Sequence, residues 1–364
     1  MKKPDLNIQS VYRSLIQKAV RRGSIYLTQK VAYYLYNIGN ANWLRKRTAV
    51  IAFEECWPLS LKLDYQTSFQ QVVDFLILAA QSVKVKDATG LGTLAYALFQ
   101  GEKFVLSGSD EDYHIKVVSE AIRRPNDFWN WVTTRVSNDN QRALVNVAQE
   151  AYRKGGWPWD KAFMQAAAYL AITEDIPNVY LAKQKVEEFP LWVALDKHTP
   201  QGKYALHEVA KQLCVPYRKL YVISFYLESA ITNESTNSKW WLKEVQWKLH
   251  HIGLNYDEAR LIWEQAKPLI VEVLKDWTEE LHRELEEFNI VEKIPQENQH
   301  SSPVQLTLFN ENYYMPQNQE FITSKEILKK NIKFLPEAKI EEKYVQLEFF
   351  NIKDIYNHVS GNRP

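Results

Sequence analysis

The chain is short of glycine: eleven occur in 364 residues, about 3% where an ordinary globular chain carries roughly 7%. β-Sandwiches and doubly wound sheets use glycine in their many turns, so the scarcity argues against both and in favour of helices. Cysteine is scarcer still. Cys56 and Cys214 are too few for a disulfide framework and are not spaced as a metal-binding pair, which fits a reduced, cytoplasmic setting. No stretch approaches the roughly 20 apolar residues that a membrane helix requires, and Met1-Lys-Lys-Pro-Asp-Leu-Asn7 lacks the apolar run of a signal peptide, so no membrane partner is expected. The loop Gly-x-x-x-x-Gly-Lys-Ser/Thr, whose amides and lysine cradle nucleotide phosphates, is missing. Neither His-Glu-x-x-His nor a cysteine pair supplies a metal site, so we expect no metal, no cofactor and no catalytic residue. A net charge of +1 excludes a molecule that binds polyanions over its whole surface.

What is present is aromatic and helical: twelve Trp and twenty Tyr accompany apolar residues that recur at helical spacing. Val11, Leu15, Ile16 and Ala19 form one stripe over 8–20, closed by Gly23. A second helix starts after Ser24, a third covers 41–56 and stops before Pro58, and a fourth covers 67–84. Further helices are predicted at 89–99, 111–123, 126–136, 138–153, 159–174, 204–213, 216–231, 237–251 and 256–288. The fold class is therefore all-α, an antiparallel helical array. Gly155-Gly156-Trp157-Pro158 and the stretch from Pro177 to Pro200 suggest a split into helical regions 1–155 and 156–289. Residues 290–364, rich in Asn, Gln, Glu and Lys, read as a tail that is disordered alone.

Charge is uneven along this body. The first 62 residues hold eleven Lys and Arg against three Asp and Glu. Arg21, Arg22, Arg45, Lys46 and Arg47, joined by Lys84 and Lys86, make a candidate basic face for DNA, against the plainer reading of solvated helix faces. In Val83-Lys-Val-Lys-Asp-Ala-Thr-Gly-Leu-Gly92, two glycines beside two lysines fit either a phosphate-receiving loop or an Asp-capped helix start. Leu195-Asp-Lys-His-Thr-Pro-Gln-Gly-Lys203, with His207-Glu208 following, gathers acid, imidazole and lysine. That is material for acid–base work or for a hydrogen-bonded loop. Trp240, Trp241 and Trp247 suit base stacking or, more simply, packing. The pair His250-His251 reads as partly exposed packing.

The tail writes one phrase twice: Val304-Gln-Leu-Thr-Leu-Phe-Asn310 and Val345-Gln-Leu-Glu-Phe-Phe-Asn351. A short apolar anchor with an orienting glutamine amide suits docking into a pocket on another protein, and the same alternation also suits an edge strand folded back on the body. The phrase resembles the bacterial sliding-clamp-binding motif Gln-Leu-x-Leu-Phe. Gln305, Leu306, Leu308 and Phe309 match every specified position; Gln346, Leu347 and Phe350 match in the second copy, where Phe349 replaces Leu. That resemblance implies the sliding clamp, the β subunit of DNA polymerase III, as partner. Thirty-six residues lie between Phe309 and Gln346, a flexible span of roughly 30–36 Å, so one tail has the reach for two pockets of a ring.

The run Ser14-Leu-Ile-Gln-Lys-Ala-Val-Arg-Arg-Gly-Ser24, then Trp43-Leu-Arg-Lys-Arg-Thr-Ala-Val-Ile-Ala-Phe-Glu-Glu55, is similar to the helical C-terminal segment of the RarA/MgsA family of clamp-loader-related AAA+ ATPases. Arg22, Gly23, Ser24, Arg47, Ala52 and Glu54 carry the likeness. Without the P-loop the chain departs from that family, and the resemblance implies only its collar-like part, with a clamp-loader-type ATPase or a second copy of the chain as further partners. The expected function is a non-catalytic accessory protein of DNA replication or repair, cytoplasmic at the nucleoid or replication fork, that docks on the clamp through its tail. The alternatives are a clamp-recruited enzyme that processes nucleic acid with the 196–208 loop, and a phage or mobile-element factor that subverts the clamp.

Overall fold

Alternating patches of apolar period and cap signals become a layered array of helices. The computed structural model describes residues 8–64, 68–102, 105–183, 191–236 and 238–288. All lie within a compact unit spanning Met1–Ser301. The separate unit Ser302–Pro364, with Gln305, Leu306, Leu308, Phe309, Gln346, Leu347, Phe349 and Phe350, falls outside the described residues.

The helices are α1 (Ile8–Arg22), α2 (Ile25–Asn37), α3 (Ala41–Glu55), α4 (Phe69–Gln81), α5 (Asp87–Phe99), α6 (Asp112–Arg123), α7 (Pro125–Thr133) and α8 (Asp139–Lys154). They continue with α9 (Pro158–Thr173), α10 (Leu191–Ala194), α11 (Pro200–Gln212), α12 (Tyr217–Ser224), α13 (Lys239–His251), α14 (Tyr256–Val273) and α15 (Lys275–Glu287). Among the described residues β-pairing is confined to isolated bridges, so the fold is all-α. Caps set several starts. Ser24 accepts from Leu27 N at 3.3 Å, and reciprocal capping boxes at Ser68/Gln71 and Asn255/Glu258 begin α4 and α14.

The centre is α5, where Ala88, Leu91, Leu94 and Ala95 are fully buried and the polar Thr89 and Thr93 nearly so. A helix apolar on every side belongs in a core, and α5 packs against α6, α9 and α13. Gly90 is what lets α13 approach. A Cβ there would lie 2.2 Å from the Trp240 carbonyl carbon, so any larger residue would force the two helices apart.

Just before α5, residues 82–86 run buried between three other segments. Val83 N donates to Tyr180 O at 2.8 Å, Lys84 N to Glu234 O at 2.9 Å and Val85 N to Glu55 O at 3.0 Å. The buried backbone is thus satisfied without a sheet.

Two expectations change. The expected regions 1–155 and 156–289 do not part into two bodies, because α9 buries every residue from Ala162 to Ala171 against helices that precede it, α5, α6 and α8. Gly155-Gly156 turns the chain without opening a boundary. The expected single helix over 256–288 is two, broken at Leu274, whose N–H still bonds Ile270 O. Buried Ile270, Leu274, Trp277, Leu281 and Leu285 continue in phase across the break, so the apolar pattern carries no mark of it.

Candidate functional site

Charge has been drawn inside this molecule. Glu55, the last residue of α3, has no exposed surface and is held between Arg21 at 2.7 Å and Lys86 at 3.0 Å. Burial alone would raise its pKa, but the two cations outweigh burial and hold the carboxyl at about 2. Arg21 also reaches Glu54 at 2.9 Å. Lys84, equally buried, points its ammonium at the carbonyls of Ala79, Ala80 and Ser82 at 2.6, 3.1 and 2.7 Å, and so closes the C-terminal end of α4.

Beside this network lies a cleft of about 500 Å³. α1 supplies Lys18 and Arg21, α3 supplies Arg47 and Glu54, and the start of α5 supplies Lys86, Thr89 and Thr93. The start of α9 adds Trp159, Asp160 and Phe163, α13 adds Trp241, Glu244 and Lys248, and the loop before α11 adds Asp196, Lys197 and His198. Phe225, Tyr226 and Ser229 come from the wider π turn Phe225–Ser229 that continues α12, marked by Ala230 N donating to Phe225 O at 2.7 Å. Such turns concentrate at functional sites, because the extra residue per turn re-aims side chains. Cations outnumber carboxylates in this lining, even with Glu55 behind the wall counted.

The Asp196–His198 loop is pinned. Asp196 Oδ1 accepts from His198 N at 2.8 Å, Thr199 Oγ1 donates to Asp196 O at 2.8 Å, and Lys18 stands 3.6 Å from Asp196 Oδ2. Gly202 makes the packing possible, since a Cβ on it would sit 1.9 Å from Asp196 O. Across the cleft, burial raises Glu244 to about 7, and Tyr226 Oη donates to its Oε1 at 2.8 Å. Burial lifts Asp160 to about 6 although Arg47 lies at 3.1 Å, and it lowers Lys197 to about 8. Shifted acids and amines gathered in one cleft are the usual mark of a binding or reactive site.

A larger groove of about 1030 Å³ lies between α14 and the π turn, and its buried carboxylate is already paired. Glu228 is bound by Arg22 at 2.9 Å and Lys267 at 3.0 Å. It offers no comparable chemistry.

The residues read as a basic face do not form one. Arg21, Lys84 and Lys86 are buried and bound as above, because each meets a carboxylate or a set of helix-end carbonyls that water would otherwise have to solvate. Arg22 is half-buried against Glu228; Arg47 is half-buried and bonds Asp160 and Gln17; Arg45 is half-buried, and only Lys46 is exposed. Arg21, Arg47 and Lys86 do meet the 196–198 loop, in the cleft. Gly90 and Gly92 lie inside α5 and form no phosphate loop; Asp87 there accepts from Trp240 N at 3.3 Å.

His207 is exposed and stacks on Tyr217 at 3.8 Å, away from Asp196 and His198. Among the described residues no group of three or more His, Cys, Asp or Glu could hold a metal ion. Nor is any helix long and apolar enough to cross a membrane. Asp160, Glu244 and Lys248 are charged cleft residues that pattern reading passed over, while Lys18 and Lys197 lay within quoted runs without being singled out. No spacing marks them, since nine helices, α2 to α10, separate α1 from the turn that carries Asp196.

No family model, curated protein or solved structure matches this chain. The likeness to the RarA/MgsA helical segment therefore stands on the residues quoted for it. Of these, Gly23 takes the left-handed φ of +77° that ends α1, and Ser24 caps α2.

Proposed function

We propose that this chain is a non-catalytic accessory protein of DNA replication or repair that docks on the bacterial sliding clamp through Val304–Asn310 and Val345–Asn351. One observation carries the reading: the doubled phrase, whose first copy matches the clamp-binding motif at Gln305, Leu306, Leu308 and Phe309. Leu306, Leu308 and Phe309 fill the clamp's pocket and Gln305 supplies the orienting hydrogen bonds. The second copy, with Phe349 in place of Leu, binds less well and adds avidity.

Calorimetry of the full chain against purified clamp tests this. Micromolar or tighter binding is expected, with a loss of roughly 30-fold or more for each of Leu308→Ala and Phe309→Ala, since anchors of this kind carry about 2 kcal/mol or more each. Binding that survives alanine at Leu308, Phe309, Phe349 and Phe350 together would sink the proposal.

A second reading, a clamp-recruited enzyme acting on nucleic acid, draws support from the cleft. There Asp196, Lys197 and His198 share one wall with Arg47 and Lys86 nearby.

A further inference from the structure

Most charged groups around the cleft are held in close ion pairs, and three are not. Lys197 and Lys248 line it with no hydrogen bond and no ion pair, their ammoniums resting instead over aromatic rings: Lys197 3.9 Å from the centre of Phe225 and Lys248 4.2 Å from that of Trp247. Glu244 is 4% exposed and accepts from Tyr226 on Oε1; Thr93 and the charge of Lys248 also act on its carboxyl, but no hydrogen bond of ordinary geometry reaches Oε2. A buried polar atom left unpaired is costly, and a charge more so, so a native fold keeps such groups where something else completes them.

The two lysines also oppose each other. Burial is the largest influence that lowers Lys197; Asp196 and Glu244 draw it part of the way back, and the charge of Lys248 adds to the lowering. An anion between them would relieve both. A single carboxylate would do this, but the walls ask for more. Trp241, Trp159 and Phe225 present ring surface to the same space, and about 500 Å³ lies within the range of small-ligand sites, roughly 300–1,000 Å³. Trp159 is 38% exposed at the rim, its ring packed against Tyr96 at 4.4 Å and with the Lys248 ammonium 5.9 Å from its centre. Aromatic faces next to lysines are how proteins hold a base and its phosphate together.

We propose that this cleft binds a phosphate joined to a planar heterocyclic ring, the chemistry of a single nucleotide, with Lys197 and Lys248 on the phosphate, Trp159 and Trp241 against the ring, and Glu244 Oε2 hydrogen-bonded to a polar group of the ligand. Both a free nucleotide and the phosphorylated end of a single strand carry this chemistry. The site does not depend on the tail, so a chain with both clamp phrases substituted binds the ligand as the parent does.

The test is calorimetry on the full chain with AMP, CMP, inorganic phosphate and a short 5′-phosphorylated single-stranded oligonucleotide. A nucleoside monophosphate or the oligonucleotide is expected to bind at least tenfold more tightly than inorganic phosphate. The tighter of the two identifies the source: a free nucleotide or a strand end. Lys197→Met with Lys248→Met should weaken binding tenfold or more. Trp159→Ala, at an exposed position that does not threaten folding, should weaken it about fivefold or more while leaving inorganic phosphate unchanged. Thermal melting of each variant shows that it remains folded. Absence of binding by the folded parent chain overturns the proposal, as does binding indifferent to the two lysines. Equal affinity for AMP and inorganic phosphate overturns the part assigned to the ring.

Discussion

Lys84 and Lys197 are both lysines that burial pushes down to about 8, and they have opposite surroundings. Lys84 delivers its ammonium to three carbonyls at the end of α4, whereas Lys197 reaches none. Glu55 and Glu244 repeat the contrast among acids. Glu55 sits between two cations and is held at about 2, while Glu244 is raised to about 7 with one oxygen unpaired. The two regions adjoin, share Arg21 and Lys86, and differ in completeness. Where every donor meets an acceptor, buried charge fixes how segments cross; where the count is left open, the structure has kept a place for something outside the chain.

That contrast breaks most sharply at Glu55. Replacing it with Gln leaves Arg21 and Lys86 buried with one fewer anion, and removing one partner of a buried ion cluster costs about 3–5 kcal/mol. Urea denaturation of the body should show a loss of that size. A loss under about 1 kcal/mol would mean that the network is not what joins α1, α3 and the segment before α5.

The two lysines give the next comparison. Lys84→Met strips three helix-end carbonyls of a charged donor and should cost roughly 2–3 kcal/mol. Lys197→Met removes a charge that no hydrogen bond or close ion pair holds, so stability should stay within about 1 kcal/mol of the parent or rise. If both variants lose equally, Lys197 has a structural partner and the distinction between the two regions fails.

The helical pattern was legible because it is local. Apolar spacing, with Gly23 and Ser24 at the first turn and Pro58 after the third helix, places nearly every helix within a few residues. The side on which polar residues lie was not. Lysines and arginines usually snorkel to water, so Arg21, Lys84 and Lys86 read as a wet basic face. A signal was there: Lys84 and Lys86 alternate with Val83 and Val85, and Glu54-Glu55 end the apolar run Ala49-Val-Ile-Ala-Phe53. An acid closing an all-apolar stretch has no polar face to occupy and must find cations inside. The cleft stayed hidden for a different reason. Its walls come from α1, α3, α5, α9, α12 with its π turn, α13 and the 196–198 loop, and only tertiary packing brings these together.

The smallest effect is the most selective, because acid and alkali should attack the two regions in opposite senses. The carboxyl of Glu55 lies below its ordinary 4.5 in the fold, so its contribution is present above that value and is lost as pH falls from about 4.5 toward 2. Glu244 lies above 4.5, so the folded chain holds a proton there that the unfolded chain releases, and stability declines as pH rises from about 4.5 to 7. Asp160, raised to about 6, acts in the same direction. Urea midpoints measured from pH 3 to pH 8 should therefore fall on both sides of a maximum near pH 4.5. Glu244→Gln, which keeps an acceptor for Tyr226 and cannot ionise, should flatten the upper limb without abolishing it, because Asp160 remains, and should leave the acid limb intact. An upper limb unchanged by Glu244→Gln would mean that this carboxyl is ionised at no cost in the fold, and the cleft would then be as fully compensated as the network around Glu55.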